Sequence, residues 1–487
     1  MNNHTMKKDV LSGLFWKFGE RITAQFISLF VSIILARLLA PEDYGTVTLT
    51  MVFITIANVF VSSGFGNALI QKKGADNLDF SSIFFINIGF SIIIYFILFF
   101  SAPYIAAFYD MPIMSPALRV LGIRIILAAV NNVQQTYVSK NMLFKRFFWS
   151  TLIGTLVSGV VGVIIAYCGG GVWALVVQYL TNTCMDTLIL WITVRWRPDF
   201  AFSWSRAKGL ISYGWKLLAS SLLDTGYSQL RSLVIGKIYT SSQLAYYDQG
   251  RRYTYFLIGN INTSISNVLL PAMSLAQDDR ERVKQMTRRS IQISSYLIWP
   301  LMTGLAVIAE PFIKLILTEK WLPCVPYLRI FCFVYVLWPI HTSNLQAINA
   351  MGRSDMFLKL EVIKKIVSLG LLLLCIPYGT LAIAAGMLAD SLIGTFINAS
   401  PNRKLLNYRY FEQLRDILPY PLMSLLMAVV IYPLGHTGLP DIAAMFLQAG
   451  AGFLVYILLS ILSKQAAFKY LLETFIPNKN RNQQSTQ

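Results

Sequence analysis

Ser81–Phe100 reads SSIFFINIGFSIIIYFILFF, a run without a single charged residue. The hydrocarbon core of a bilayer takes roughly 20 apolar residues of helix to cross, so this stretch reads as a transmembrane span. Working outward, Thr151–Cys168 and Ile442–Ser463 meet or approach the same length, as does Ile366–Pro377 with its flanks. About fourteen such stretches recur along the chain. The expected spans are 11–39, 46–68, 81–102, 117–138, 148–168, 171–194, 210–237, 253–276, 290–317, 324–350, 356–376, 380–399, 416–435 and 441–463. The fold class is all-α: a polytopic membrane protein.

Composition points the same way. Of 487 residues, 55% are hydrophobic and 13% charged, and the mean hydropathy is +0.57, values that a domain with a fully solvated surface does not carry. The net charge of +18 reports membrane topology rather than a nucleic-acid partner, because the basic residues cluster in loops between spans. Lys72 and Lys73, Lys140, Lys145 and Arg146, Arg195–Lys208, Arg280–Arg289, Arg353, Arg403–Arg415 and Lys464–Arg481 all fall on one side. That side holds about 26 basic residues against roughly three on the other, so both termini are expected in the cytoplasm. The first span contains Lys17, Glu20 and Arg21 and lacks the uninterrupted apolar core of a cleavable signal peptide. The five cysteines have no metal-ligand spacing and read as packing residues.

An internal repeat of about 200 residues divides the chain. VSIILARLLAPEDYG at the end of the first span matches RSLVIGKIYTSSQLAYY at the end of the seventh, with Ser32 against Ser232 and Arg37 against Lys237. The expected organisation is a six-helix lobe over 1–200, a second over 201–402, two additional helices over 403–470 and a cytoplasmic tail over 471–487. Repeats of this kind are a recurrent transporter plan, with the substrate path between them.

A charge inside the bilayer costs at least ~2.5 kcal/mol on insertion scales, so ionisable residues within spans face a cavity or a partner. Lys17, Glu20, Arg21, Ala24 and Ser28 follow helical spacing along one face of the first span, and Lys216, Ser220, Asp224, Ser228 and Arg231 do so in the seventh. Thr55, Asn58 and Ser62 align in the second, Arg124, Ala128, Asn131 and Gln135 in the fourth, and Asn260, Ser264 and Asn267 in the eighth. Such stripes either glue helices together or wall a wet cavity. The modest excess of basic groups favours an anionic ligand, and arginine's fork suits phosphate. The candidate substrate-binding residues are therefore Arg21, Arg124, Arg231, Lys216, Asn58, Asn131 and Asn267. Glu20 and Asp224, each beside a base on helices that open the two repeats, are candidates for coupling. No phosphate-binding loop, histidine-rich metal pattern or paired loop carboxylates are present, so no catalytic residue, metal or cofactor is assigned and an enzyme is not expected.

ARLLAPEDYGTVTL (Ala36–Leu49), SGFGNALIQKKG (Ser63–Gly74), TEKWLPCVPYLRIF (Thr318–Phe331) and the span layout resemble the polysaccharide-export branch of the multidrug/oligosaccharidyl-lipid/polysaccharide (MOP) superfamily, the Wzx-type flippases. The resemblance covers about residues 11–465. It implies two six-helix lobes and movement of undecaprenyl-pyrophosphate-linked sugar repeat units across the inner membrane, for exopolysaccharide, O-antigen, lipopolysaccharide or capsule synthesis. The family's arginine-lined cavity maps by position in the span onto Arg21, Arg124 and Arg231. Membrane lipids, a polysaccharide polymerase and chain-length machinery are implied partners. The alternative within the same superfamily is a cation or drug antiporter, which calls for a net-negative cavity.

Overall fold

The computed structural model describes residue 19 and residues 23–62 and 65–475. Among them every regular element is a helix. Two compact units divide the chain, Met1–Ala245 and Tyr246–Gln487.

Unit 1 contains α1 (Thr23–Leu38), α2 (Pro41–Ser62), α3 (Phe65–Gln71), α4 (Asn77–Phe108), α5 (Met114–Lys140), α6 (Phe144–Tyr167), α7 (Val172–Thr193) and α8 (Trp204–Ile238). The buried face of α6 is built from small residues one turn apart: Ser150, Gly154, Ser158, Gly162 and Ala166. A methyl group on Gly162 would lie 2.9 Å from the Gln178 Cβ, and one on Gly154 would lie 3.4 Å from the Asn182 carbonyl. These small residues let the α7 backbone approach closely, as in membrane helix pairs generally. That contact fixes the rotation of α7 and turns Asn182, Thr183 and Asp186 toward α5 and α2.

Unit 2 continues with α9 (Ser241–Ser274, which begins in unit 1), α10 (Arg280–Val307), α11 (Ala309–Leu317), α12 (Val325–Tyr335), α13 (Trp338–Ala350), α14 (Ser354–Cys375), α15 (Thr380–Ala399), α16 (Asn402–Leu405), α17 (Tyr410–Ile417), α18 (Pro419–Ile431), α19 (Asp441–Leu462) and α20 (Ala466–Phe475). Three expected spans or span ends are broken here, and each break has the same cause. A proline has no N–H to donate, and its ring crowds the carbonyl four residues earlier. Helix α10 stops at Val307, four before Pro311; α12 stops at Tyr335, four before Pro339; α17 stops at Ile417, four before Pro421.

Among the described residues ten helical segments are long and apolar enough to cross a membrane, so this is a multi-pass membrane protein. The remaining expected spans fall on α1, α8, α9 and α14, which are shorter in their described part or carry charged and amide residues, on α14 Lys359, Glu361, Lys364 and Lys365. The expected second span starts earlier than its pattern suggested, at Pro41, because proline fits the first turn of a helix, where its missing N–H has no partner to lose.

The repeat is written most clearly in the turns. Helices α1 and α8 end at Leu38 and Ile238, and α2 and α9 begin at Pro41 and Ser241. Asp76 caps α4 by accepting from the Asp79 N–H at 3.0 Å, and Asp279 caps α10 by accepting from the Arg282 N–H at 3.0 Å. The α5–α6 turn closes with the Leu143 N–H on the Val138 carbonyl (2.9 Å), and the α13–α14 turn with the Arg353 N–H on the Ile348 carbonyl (3.1 Å). Both turns place a left-handed residue, Met142 (φ 57°) or Gly352 (φ 71°), at the same step, as the Schellman motif requires.

Candidate functional site

Helices α2, α5 and α7 enclose a cavity of about 340 Å³ within unit 1. Thr55, Asn58 and Ser62 line it from α2, Arg124, Asn131 and Gln135 from α5, and Asn182, Thr183 and Asp186 from α7. Two polar stripes expected from helical spacing thus meet on one space. The third wall, on α7, was not among the candidate site residues. Its signal was present in the spacing of Tyr179, Asn182, Thr183, Asp186 and Thr187.

Among the described residues Arg124 and Asp186 are the charged ones lining this cavity, and they do not pair. The Arg124 Nε donates to the Thr183 hydroxyl at 2.8 Å, Nη1 lies 3.8 Å from the Met51 sulfur, and the guanidinium stands 5.7 Å from the centre of the Tyr179 ring. Among the described residues it has no carboxylate partner. Its fork therefore remains available to an incoming anion, in a setting where each hydrogen bond to a charged group contributes about 1.5–3 kcal/mol. Two turns along the same helix face, Asp186 Oδ2 accepts from Asn131 Nδ2 at 2.6 Å and from Gln135 Nε2 at 3.3 Å. Helices α5 and α7 run in the same direction through this seam: Thr187 approaches the Leu127 carbonyl (3.5 Å), Trp191 donates to the Val130 carbonyl (3.3 Å) and Gln134 to the Trp196 carbonyl (3.1 Å).

Below the seam, basic loops are tied down rather than loose. Lys72 pairs with Asp79 at 2.7 Å, Arg206 pairs with Asp76, and Lys140 Nζ donates to the Leu69 and Lys72 carbonyls, both at 2.8 Å. Arg206 and the Asp79 N–H hold the Asp76 carboxyl below the ordinary carboxylate range.

Of the other candidates, Lys216 and Asp224 lie exposed on α8, Arg231 lies half-buried farther along it, and Asn267 lies exposed on α9 in unit 2. They do not line the α2–α5–α7 cavity. Arg21 and Glu20 fall outside the described residues. Asn58, Arg124 and Asn131 are the candidates the fold brings together.

Unit 2 carries a feature of opposite character. Helices α10, α18, α19 and α20 enclose an almost wholly apolar groove of about 900 Å³, lined by Leu301, Leu305, Met427, Phe453 and Leu471 among others.

Unit 1 of this multi-pass helical membrane protein thus holds a charged, amide-lined cavity among its membrane helices. Residues 34–326 match the polysaccharide biosynthesis protein family, and the chain belongs to that family. It is 22% identical over 436 residues to the lipopolysaccharide biosynthesis protein WzxC of Escherichia coli (88% of each chain). It is 24% identical over 491 residues to the succinoglycan biosynthesis transport protein ExoT of Rhizobium meliloti (97% of each). Among solved structures it resembles the lipid II flippase MurJ in an inward closed conformation, with a TM-score of 0.74 at 16% identity over 93% of this chain and 99% of that one. It also resembles an inward-facing multidrug resistance MATE transporter of the MOP superfamily, with a TM-score of 0.60 at 15% identity over 80% of this chain and 98% of that one. Both likenesses concern the fold: the chain shares the helical architecture of these two solved structures.

Proposed function

We propose that the protein moves undecaprenyl-pyrophosphate-linked oligosaccharide repeat units from the cytoplasmic to the periplasmic leaflet of the bacterial inner membrane, by alternating access of two six-helix lobes. The observation that carries this reading is the membrane-embedded cavity of unit 1, where Arg124 has no carboxylate partner among the described residues. A sugar hydroxyl moved into hydrocarbon without a partner costs roughly 4–8 kcal/mol on cyclohexane scales, so a bare oligosaccharide cannot cross unaided. Asn58, Asn131, Asn132, Gln135 and Asn182 supply amides that replace water around such hydroxyls, and Arg124 matches a pyrophosphate oxygen. The names of the relatives support the substrate class: one serves lipopolysaccharide biosynthesis, one is a succinoglycan transport protein, and the structural neighbour flips lipid II. The apolar groove of unit 2 suits a hydrocarbon chain that gains nothing by leaving an apolar medium.

On this reading both termini face the cytoplasm, and a polymerase and chain-length machinery receive the product in exopolysaccharide, O-antigen or capsule synthesis. A cation or drug antiporter calls for a net-negative cavity, whereas among the described residues the lining charges are one arginine and one aspartate. The test is loss of the protein followed by identification of accumulated lipid-linked sugars. Accumulation of a polyprenyl-pyrophosphate oligosaccharide, cleared by the wild-type protein, supports the reading. Unchanged lipid-linked pools together with altered efflux of cationic dyes would replace it with the antiporter.

A further inference from the structure

The second repeat places aromatic rings where the first lines its cavity with small and polar side chains. Counted from the turns the repeats share, Met51, Thr55 and Ala128, which line the unit 1 cavity, correspond to Arg251, Tyr255 and Trp338. Within unit 2 the Tyr255 ring meets Trp338 edge to face, with centroids 5.6 Å apart and planes at 89°, and Trp338 meets Tyr335 at 4.6 Å and 84°. Tyr335 is buried behind them, whereas Tyr255 is 51% exposed. Gly259, one turn on, leaves space for that ring, since a methyl group there would lie 3.2 Å from Tyr255 Cε1. Contact with lipid does not account for the open face of Tyr255. The same face of α9 carries Arg251 and Asp248, paired at 3.0 Å, and Asn262, which accepts from the Thr342 hydroxyl at 2.6 Å. Charges turned toward hydrocarbon are costly, so this face is a polar wall with an aromatic ring open upon it.

We propose that Tyr255 and Trp338, backed by Tyr335, form a stacking platform for a pyranose ring of a glycan, with the Arg251–Asp248 pair at the rim of that ring. A pyranose is amphipathic: hydroxyls circle its edge, and its axial C–H groups make an apolar face. Such a face suits the flat surface of a tyrosine or tryptophan, whose polar tip stays available to hydroxyls. The rim is served by a guanidinium that only donates and a carboxylate that only accepts. Their own pairing engages Arg251 Nη2 and Asp248 Oδ1, which leaves the other nitrogens and the other oxygen for a sugar. The rings hold one another in place, so little ordering remains to be done when a ligand arrives. The ligand class follows from the chemistry: rings of gluco configuration, whose equatorial hydroxyls leave both faces free, fit better than open-chain polyols. Amides like those of the first repeat satisfy hydroxyls of any configuration, whereas a platform reads ring stereochemistry. This deepens the transport reading and rests on it for why a glycan reaches the site.

The test uses a glycan without a lipid carrier. Purified full-length protein in lipid nanodiscs is mixed with cellotetraose, a chain of gluco-configured rings, or with sorbitol, an open-chain polyol. Contact is read by saturation-transfer difference NMR with irradiation of the protein's aromatic protons. The expected result is transfer to the ring C–H protons of cellotetraose and none to sorbitol. Transfer should persist in Tyr255→Phe and fall about tenfold in Tyr255→Leu, which keeps an apolar side chain but has no aromatic face. Trp338→Leu removes the second ring and should have the same effect, and thermal denaturation without sugar shows that each variant is folded. Absence of transfer to cellotetraose in the wild type overturns the platform, as does undiminished transfer in folded Tyr255→Leu protein or equal transfer to sorbitol. Flipping of a lipid-linked sugar by a wild-type protein that shows no such transfer would defeat this inference alone. Transfer that depends on Tyr255, with no lipid-linked sugar accumulating when the protein is lost, would defeat the transport reading alone.

Discussion

The two repeats share a scaffold and put different chemistry on it. Counted from their shared turns, Arg124 corresponds to Val334, Asn131 to His341, Thr183 to Ser391, Asp186 to Gly394 and Thr187 to Thr395. The backbone logic is the same in both seams. Thr187 donates to the Thr183 carbonyl at 2.7 Å, and Thr395 donates to the Ser391 carbonyl at 2.8 Å. The first seam, however, opens into a cavity with unengaged oxygens on Asn58 and Asn131, whereas in the second the His341 ring meets Ser391 (3.3 Å), Thr395 (3.2 Å) and Asn398 (2.9 Å). Gly394 is what makes room for it, because a methyl group there would lie 3.1 Å from the imidazole Cε1. Even the arginine changes role: where Met51 approaches Arg124 in the first repeat, the corresponding residue of the second is Arg251, paired with Asp248 at 3.0 Å. The second seam fills its space with a ring held at three points, although Asn398 Oδ1 is buried without a partner, whereas the first keeps an open cavity in which a ligand can find hydrogen-bonding groups.

The largest effect tests the scaffold. A methyl group on Gly45 would lie 1.8 Å from the Ser241 carbonyl oxygen, and no side chain can move aside for it because the obstacle is backbone. Gly45→Ala should therefore destabilise the protein by about 3 kcal/mol or more and remove most of the folded material, read by size-exclusion chromatography in detergent. The corresponding residue of the second repeat is already Ala245, so only the first turn should be intolerant. Normal yield from Gly45→Ala would mean that the two turns do not pack as described.

An intermediate effect tests the second seam. His341→Ala strips partners from Asn398, Ser391 and Thr395 and should lower stability by about 2–3 kcal/mol, seen as a lower midpoint of thermal denaturation, while folded protein still transports. Unchanged stability with lost transport would move the functional site into the second repeat.

The smallest effect lies in the loop contacts. Arg206, and then the Asp79 N–H, depress the Asp76 carboxyl, so its contribution is present above the ordinary carboxylate pKa of about 4 and is lost as pH falls through the lowered folded value. Asp76→Asn should lower stability slightly at neutral pH, where the charged pair contributes, and leave acid pH unchanged, so that the acid limb of the stability profile flattens. High salt should mimic it, because the pair is exposed.

Much of this was legible in the residues. Apolar length gave the helical membrane class, and three- and four-residue spacing placed Thr55, Asn58 and Ser62 on one wall and Arg124, Asn131 and Gln135 on another. The wall on α7 escaped because its rotation depends on tertiary contact with the small-residue face of α6, although the spacing of Asn182 and Asp186 carried the hint. The helix breaks before Pro311, Pro339 and Pro421 were not separable by sequence from Pro103, Pro271 and Pro300, which lie inside continuous helices. The depth of the repeat was not legible either, since Met142 and Gly352 adopt one backbone conformation with unrelated side chains.

The most direct test of the central claim is flipping of a polyprenyl-pyrophosphate oligosaccharide in proteoliposomes containing matched amounts of wild-type, Arg124→Ala and Arg124→Lys protein. Loss of about 1.5–3 kcal/mol of charged hydrogen bonding predicts a fall of roughly 10- to 150-fold for alanine, with partial recovery by lysine, which keeps the charge but not the fork. A wild-type rate from folded Arg124→Ala protein would contradict the account and leave the first-repeat cavity without its anion site.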